Sequence, residues 1–93
     1  MNTLEKMRER LAQLAPTRIE IEDESARHAG HQGAQSGGGH YRLHIVSPRF
    51  EGQPTLARHR IVYDSLGDMM QKEIHALSIK AYTPTEDRSG PPG

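Results

Sequence analysis

Six histidines and no cysteine mark this chain. Four of the six bracket one glycine-rich stretch: His28-Ala-Gly-His31, then Gln-Gly-Ala-Gln-Ser-Gly-Gly-Gly, then His40-Tyr-Arg-Leu-His44. Imidazole is the commonest metal ligand and titrates near neutral pH, so its clustering beside a glycine-rich loop points to a site. The missing cysteine constrains that chemistry, because a soft metal or an iron–sulfur cluster bound here would have to take its thiolates from another molecule. Zinc on His28, His31 and His40 is the nearest rival. No carboxylate is clearly placed to complete such a site, however, and ordering a glycine-rich loop around an ion costs conformational entropy. No nucleophile–base constellation or phosphate-binding glycine loop accompanies the histidines, so the residues point to binding rather than to an enzyme.

The elements that must position these side chains can be read from periodicity. Leu4, Met7, Leu11 and Leu14 recur at helical spacing among charged residues, with Asn2 or Thr3 available as N-cap and Pro16 as the stop. Arg18-Ile-Glu-Ile-Glu22 alternates with period two and predicts a strand. Tyr41 to Val46 predicts a second, with Tyr41, Leu43 and Ile45 inward and His40, Arg42 and His44 on the outer face. The connection from Glu24 to Gly39 is far longer than a usual hairpin loop; loops of that length tend to be functional or disordered. Ser47-Pro48 closes the second strand, and Gly52 and Pro54 mark a turn.

Leu56, His59, Val62, Leu66, Met69 and Met70 predict one further helix reaching about Glu73. His59 then falls on its apolar stripe, where a histidine more often packs than ligates. Ala76 to Tyr82 predicts a third strand with Leu77, Ile79 and Ala81 inward and His75 at its mouth. Residues 1–86 therefore read as one domain, and 87–93 as a polar tail too poor in apolar groups to fold.

The order helix–strand–strand–helix–strand carries one topological consequence. Two strands of one sheet joined by a helical crossover run parallel, so the second and third strands should begin at the same edge. His40 opens one, His75 opens the other, and the loop bearing His28 and His31 empties there as well.

Composition sets the outer limits. With 93 residues, 33% of them hydrophobic, one Phe and no Trp, the core is modest. Lys plus Arg and Asp plus Glu balance at 12 each, so net charge does not mark a nucleic-acid or membrane-surface protein. No apolar run approaches the length of a membrane span, and the charged N-terminal residues are unlike a signal peptide, which makes a cytoplasmic location the expectation.

Longer stretches add a family resemblance. Asp23-Glu-Ser-Ala-Arg-His-Ala-Gly30, His40-Tyr-Arg-Leu-His-Ile-Val-Ser47, Arg49-Phe-Glu-Gly52, Leu56-Ala-Arg-His-Arg-Ile-Val-Tyr63 and Ile74-His-Ala-Leu77 resemble the BolA family, in the family's order and over about residues 18–86. The resemblance implies an α+β fold similar to class II KH domains, a three-stranded mixed sheet packed on helices. It implies partnership with a monothiol glutaredoxin around a shared [2Fe–2S] cluster. The family's histidine at the start of the last strand is matched by His75, and its loop ligand by His40, with His28 as the second candidate. It also implies DNA binding linked to stress response and cell morphology.

Two imidazoles can replace two thiolates on one iron, as in Rieske centres. By the family resemblance, the glutaredoxin's cysteine and a bound glutathione would supply the other two ligands, and the isolated protein would carry no cluster and be a monomer or a weak homodimer. Imidazoles bind metal in the neutral form, so assembly should weaken as pH falls through about 6. For DNA, Arg49, Arg58 and Arg60 are the candidate phosphate contacts. KH domains clamp the nucleic-acid backbone with a Gly-x-x-Gly loop, and the turn Gly52-Gln-Pro-Thr-Leu lacks its second glycine.

Overall fold

The structure, a computed structural model, describes residues 2–24 and 39–87. The candidate ligand His28, together with His31 and residues 88–93 of the expected tail, lies outside the described residues.

The amphipathic N-terminal stretch forms helix α1 (Thr3–Leu11), continued by a 3₁₀ turn at Ala12–Leu14. Asn2 is the cap: its side-chain oxygen accepts the Glu5 N–H at 2.9 Å, satisfying one of the donors that a helix start leaves open. Met7, Leu11 and Leu14 are buried, and Leu4 packs against them. Ala15 then adopts a left-handed conformation (φ 48°) ahead of Pro16, and the chain enters the sheet.

Strands β1 (Arg18–Asp23), β2 (Gly39–Val46) and β3 (Ile74–Tyr82) lie in the order β1-β2-β3. β1 pairs antiparallel with β2, and β2 pairs parallel with β3. The parallel pair is what a helical crossover demands, and the mixed sheet under helices is the expected α+β fold. Tyr41, Leu43 and Ile45 are buried against the helices. His44, Glu20, Glu22, Arg42 and Lys80 line a shallow hollow on the other face. The single Phe, Phe50, sits in a 3₁₀ turn (Pro48–Phe50) and is completely buried. Beneath it the buried Ser47 hydroxyl donates to the Leu14 carbonyl at 2.6 Å, tying the first helical segment to the end of β2.

The second helix departs from the sequence reading. Helix α2 (Thr55–Leu66) ends well before Glu73, giving way to a 3₁₀ turn at Gly67–Met70. Gly67 has φ +59°, a conformation open to glycine and strained for other residues. Leu56, expected on the buried stripe, is 76% exposed. An α-helix turns about 100° per residue, so each three-residue step from 56 to 59 to 62 drifts about 60° and carries Leu56 off the face of Val62 and Leu66. Met69 still reaches the core, from the 3₁₀ turn.

A clasp closes the C-terminal end. Arg58 donates two hydrogen bonds to the Glu86 carboxylate, at 2.5 and 3.0 Å, and reaches the carbonyls of Gln53 (2.7 Å) and Ala81 (3.1 Å). Glu86 also accepts the Thr83 N–H, while its own N–H donates to the Thr83 hydroxyl. The Arg58 guanidinium, aided by that backbone N–H, holds the Glu86 carboxyl down at about 2, against an ordinary 4.5. A carboxyl depressed on folding adds stability that is fully present above its unfolded value and lost as pH falls through its folded one. Urea midpoints of wild type and Glu86→Gln should therefore differ most above pH 4.5 and converge as pH drops toward about 2; a gap constant with pH would count against the clasp.

Candidate functional site

The parallel register brings the starts of β2 and β3 together, and with them His40 and His75. Their ring centroids are 5.2 Å apart with planes inclined at 32°. A local irregularity makes this possible. Gly39 pairs with Ile74 and His40 with Ala76, so His75 is the extra residue of a β-bulge. Strict alternation with Leu77, Ile79 and Ala81 would have pointed His75 inward. The bulge instead leaves His75 and Ala76 consecutively exposed after the buried Ile74, and His75 joins His40 on the outer face.

The backbone around the pair is tied down from both sides. The Glu24 N–H donates to the His40 carbonyl at 2.8 Å, and the Gly39 N–H donates to the Glu73 carbonyl at 2.9 Å. Beneath His40 the Tyr41 ring lies across Gly39, so close that a Cβ at residue 39 would meet the ring at 2.6 Å. Burial pushes the Tyr41 phenol above its ordinary range, the nearby Asp23 carboxylate adds to this, and a hydrogen bond with Thr3 opposes it. Glu73, just before β3, pairs with Lys6 of α1. Neither the bulge nor the glycine cushion was read from the sequence. The one available signal was an inward-facing glycine two residues before an aromatic on the same strand face.

The remaining candidates fall elsewhere. His44 is four residues along β2 from His40, about 13 Å away at strand rise. Its ring lies 5.2 Å from Tyr82, and its Nε2 is 3.4 Å from the Asp87 carboxylate, which Arg18 also approaches at 3.8 Å. Asp87, assigned from sequence to the tail, is thus engaged with the sheet. His59 is half-buried in the groove between α2 and β3, beside Ile79, Ala81 and Tyr82. Arg58, expected as a phosphate contact, is engaged by Glu86 and two carbonyls, with its side chain 13% exposed. Arg49 and Arg60 are exposed.

What the pair can do follows from its donors. Metal–imidazole bonds run about 2.0–2.1 Å, so two rings serving one ion must stand about as close as His40 and His75 do. Among the described residues, no group of three or more His, Asp or Glu side chains gathers to hold a metal ion. The pair therefore offers two nitrogen ligands on an accessible sheet edge. No helix among the described residues is long and apolar enough to cross a membrane.

Comparison with known proteins bears on the same residues. Residues 11–86 match the family described as BolA-like protein. The chain is 42% identical over 87 residues to SufE-like protein 1, chloroplastic/mitochondrial, of Arabidopsis thaliana, covering 87% of this chain and 24% of that protein. It is 38% identical over 80 residues to the DNA-binding transcriptional regulator BolA of Escherichia coli, covering 85% of this chain and 73% of that one. Among solved structures, BolA1 from Arabidopsis thaliana superposes with a TM-score of 0.80 at 41% identity, covering 94% of this chain and 97% of the other. The chain spans only 24% to 58% of the length of the first curated relatives it matches.

Proposed function

This chain belongs to the BolA-like protein family, and from that premise we propose that it is a non-enzymatic partner of a monothiol glutaredoxin, co-ligating a [2Fe–2S] cluster through His75 and His40 for cluster assembly, trafficking or iron and redox signalling. The observation that carries the proposal is the juxtaposition of the two imidazoles by the β3 bulge. A two-nitrogen donor set suits one iron of a [2Fe–2S] centre whose other iron keeps thiolates. This chain has no cysteine to supply those thiolates. The glutaredoxin cysteine and a bound glutathione fill that role in the proposal. When bound, the cluster supplies one-electron chemistry and transferable iron and sulfide; the chain itself offers the two ligands and the rigid sheet edge that presents them. Mixing the cysteine-free protein with a cluster-loaded monothiol glutaredoxin should change the visible absorption and circular dichroism of the cluster. Spectra identical to those of the glutaredoxin alone would sink the proposal.

The second reading is DNA binding, favoured by the name of the Escherichia coli relative and by the exposure of Arg49 in the turn before α2 and of Arg60 on α2. Each phosphate contact contributes about −0.9 to the slope of log K against log salt. If these two arginines touch phosphate, Arg49→Ala/Arg60→Ala lowers affinity for a promoter fragment and flattens that slope by about 2. An unchanged slope removes them from the interface.

A further inference from the structure

From the contacts beneath the histidine edge we infer that the Lys6–Glu73 ion pair, which links α1 to the turn before β3, is a positioning device for His75. The inference rests on the functional reading above for its biological consequence, though not for its structural test.

The bulge is the reason such a device is needed. His75 has no register partner on β2, since the pairing steps from Gly39–Ile74 directly to His40–Ala76. A bulged residue lacks the ladder bonds that fix its neighbours, so its direction is set by what holds the chain on either side. On the C-terminal side the ladder resumes at once. On the N-terminal side the holds are the buried Ile74 side chain, the Glu73 carbonyl accepting from Gly39, and the Glu73 carboxylate meeting Lys6. The first two fix how deep the strand sits. The third adds a polar tie from the turn to α1, beside the apolar one that Ile74 makes through the core it shares with Met7 and Leu11.

The same stretch of α1 serves the other histidine. Thr3, one turn before Lys6, lies beside Tyr41, whose ring lies over Gly39 behind His40. The start of α1 thus backs both halves of the pair from the inner face, while the imidazoles stand on the outer one. The Lys6 and Glu73 side chains remain 35% and 26% exposed. Ion pairs of that exposure contribute little to stability, so the effect of breaking this one should appear in the geometry of the pair and hardly at all in unfolding.

The test is nuclear Overhauser spectroscopy of the isolated protein with no metal present. The wild type should show a cross-peak between ring protons of His40 and His75, and another between His44 and Tyr82. In Lys6→Gln the first should be lost or weakened severalfold and the second kept, with Tm shifted by no more than a few degrees. Lys6→Arg and the charge swap Lys6→Glu/Glu73→Lys should restore it. An exposed ion pair can shift an equilibrium only a few-fold, so Lys6→Gln should need about 2- to 5-fold more glutaredoxin–cluster complex to reach the same spectral change. A His40–His75 cross-peak of wild-type intensity in Lys6→Gln overturns the inference, as does loss of both cross-peaks together. If the wild type shows the cross-peak but takes up no cluster, the functional reading fails and the positioning inference stands on its own data.

Discussion

Replacing His75 with alanine is expected to abolish the change in visible circular dichroism when the protein meets a cluster-loaded monothiol glutaredoxin, while leaving the fold intact. The two halves of this expectation have separate physical grounds. Outer groups that merely orient a ligand cost 10–100-fold in metal affinity when removed, so deleting one of only two ligands this chain offers should cost more than about 100-fold. His75 is exposed, and surface substitutions usually move stability by no more than about 0.5 kcal/mol. A loss of signal accompanied by a large fall in Tm would therefore point to misfolding and not to ligation. Retained signal at wild-type glutaredoxin concentrations would exclude His75 as a ligand. His40→Ala should behave like His75→Ala, because the structure sets these two rings 5.2 Å apart. Should His28→Ala abolish the signal and His40→Ala leave it, the second ligand would belong to the loop.

Gly39→Ala should damage both the fold and the site, and by a larger amount than adding one methyl group to a strand suggests. The added Cβ would sit 2.6 and 2.7 Å from two Tyr41 ring carbons and 2.6 Å from its hydroxyl. That ring is 8% exposed and sits beside Thr3 and Asp23 at the corner between α1, β1 and β2, so moving it off Gly39 means repacking that corner. Overpacking of this kind costs about 1–3 kcal/mol, which for a domain of this size lowers Tm by at least about 4 °C. The displacement also propagates to the next residue, His40, and the cluster signal should fall with it. Gly39→Ala/Tyr41→Leu relieves the clash and should recover part of the lost stability. A single Gly39→Ala variant with wild-type Tm would mean that the glycine is not required for the ring's approach.

Much of this protein follows from local pattern. The helix over Leu4 to Leu14, the inward sets Tyr41, Leu43, Ile45 and Leu77, Ile79, Ala81, and the parallel pairing of β2 with β3 all follow from periodicity and the handedness of crossover connections, which act over short stretches of chain. Meeting of the His40 and His75 segments at one sheet edge followed from that topology. Three features did not. The break at Gly67 is invisible to a reading that counts apolar residues, since Met69 and Met70 continue the expected spacing through a 3₁₀ turn. Engagement of Arg58 by Glu86 joins residues 28 apart, and nothing in either neighbourhood announces the other.

The bulge at His75 was decided by tertiary structure alone. Period-two alternation by itself buries residue 75 along with Leu77, and only the register with β2, one residue out of step at Gly39, turns the imidazole to the face where His40 stands. Side-chain direction at a bulge is a property of two strands together, so one strand's sequence cannot state it. The residue types and the edge they share were written in the chain. The 5.2 Å between two rings belongs to the fold.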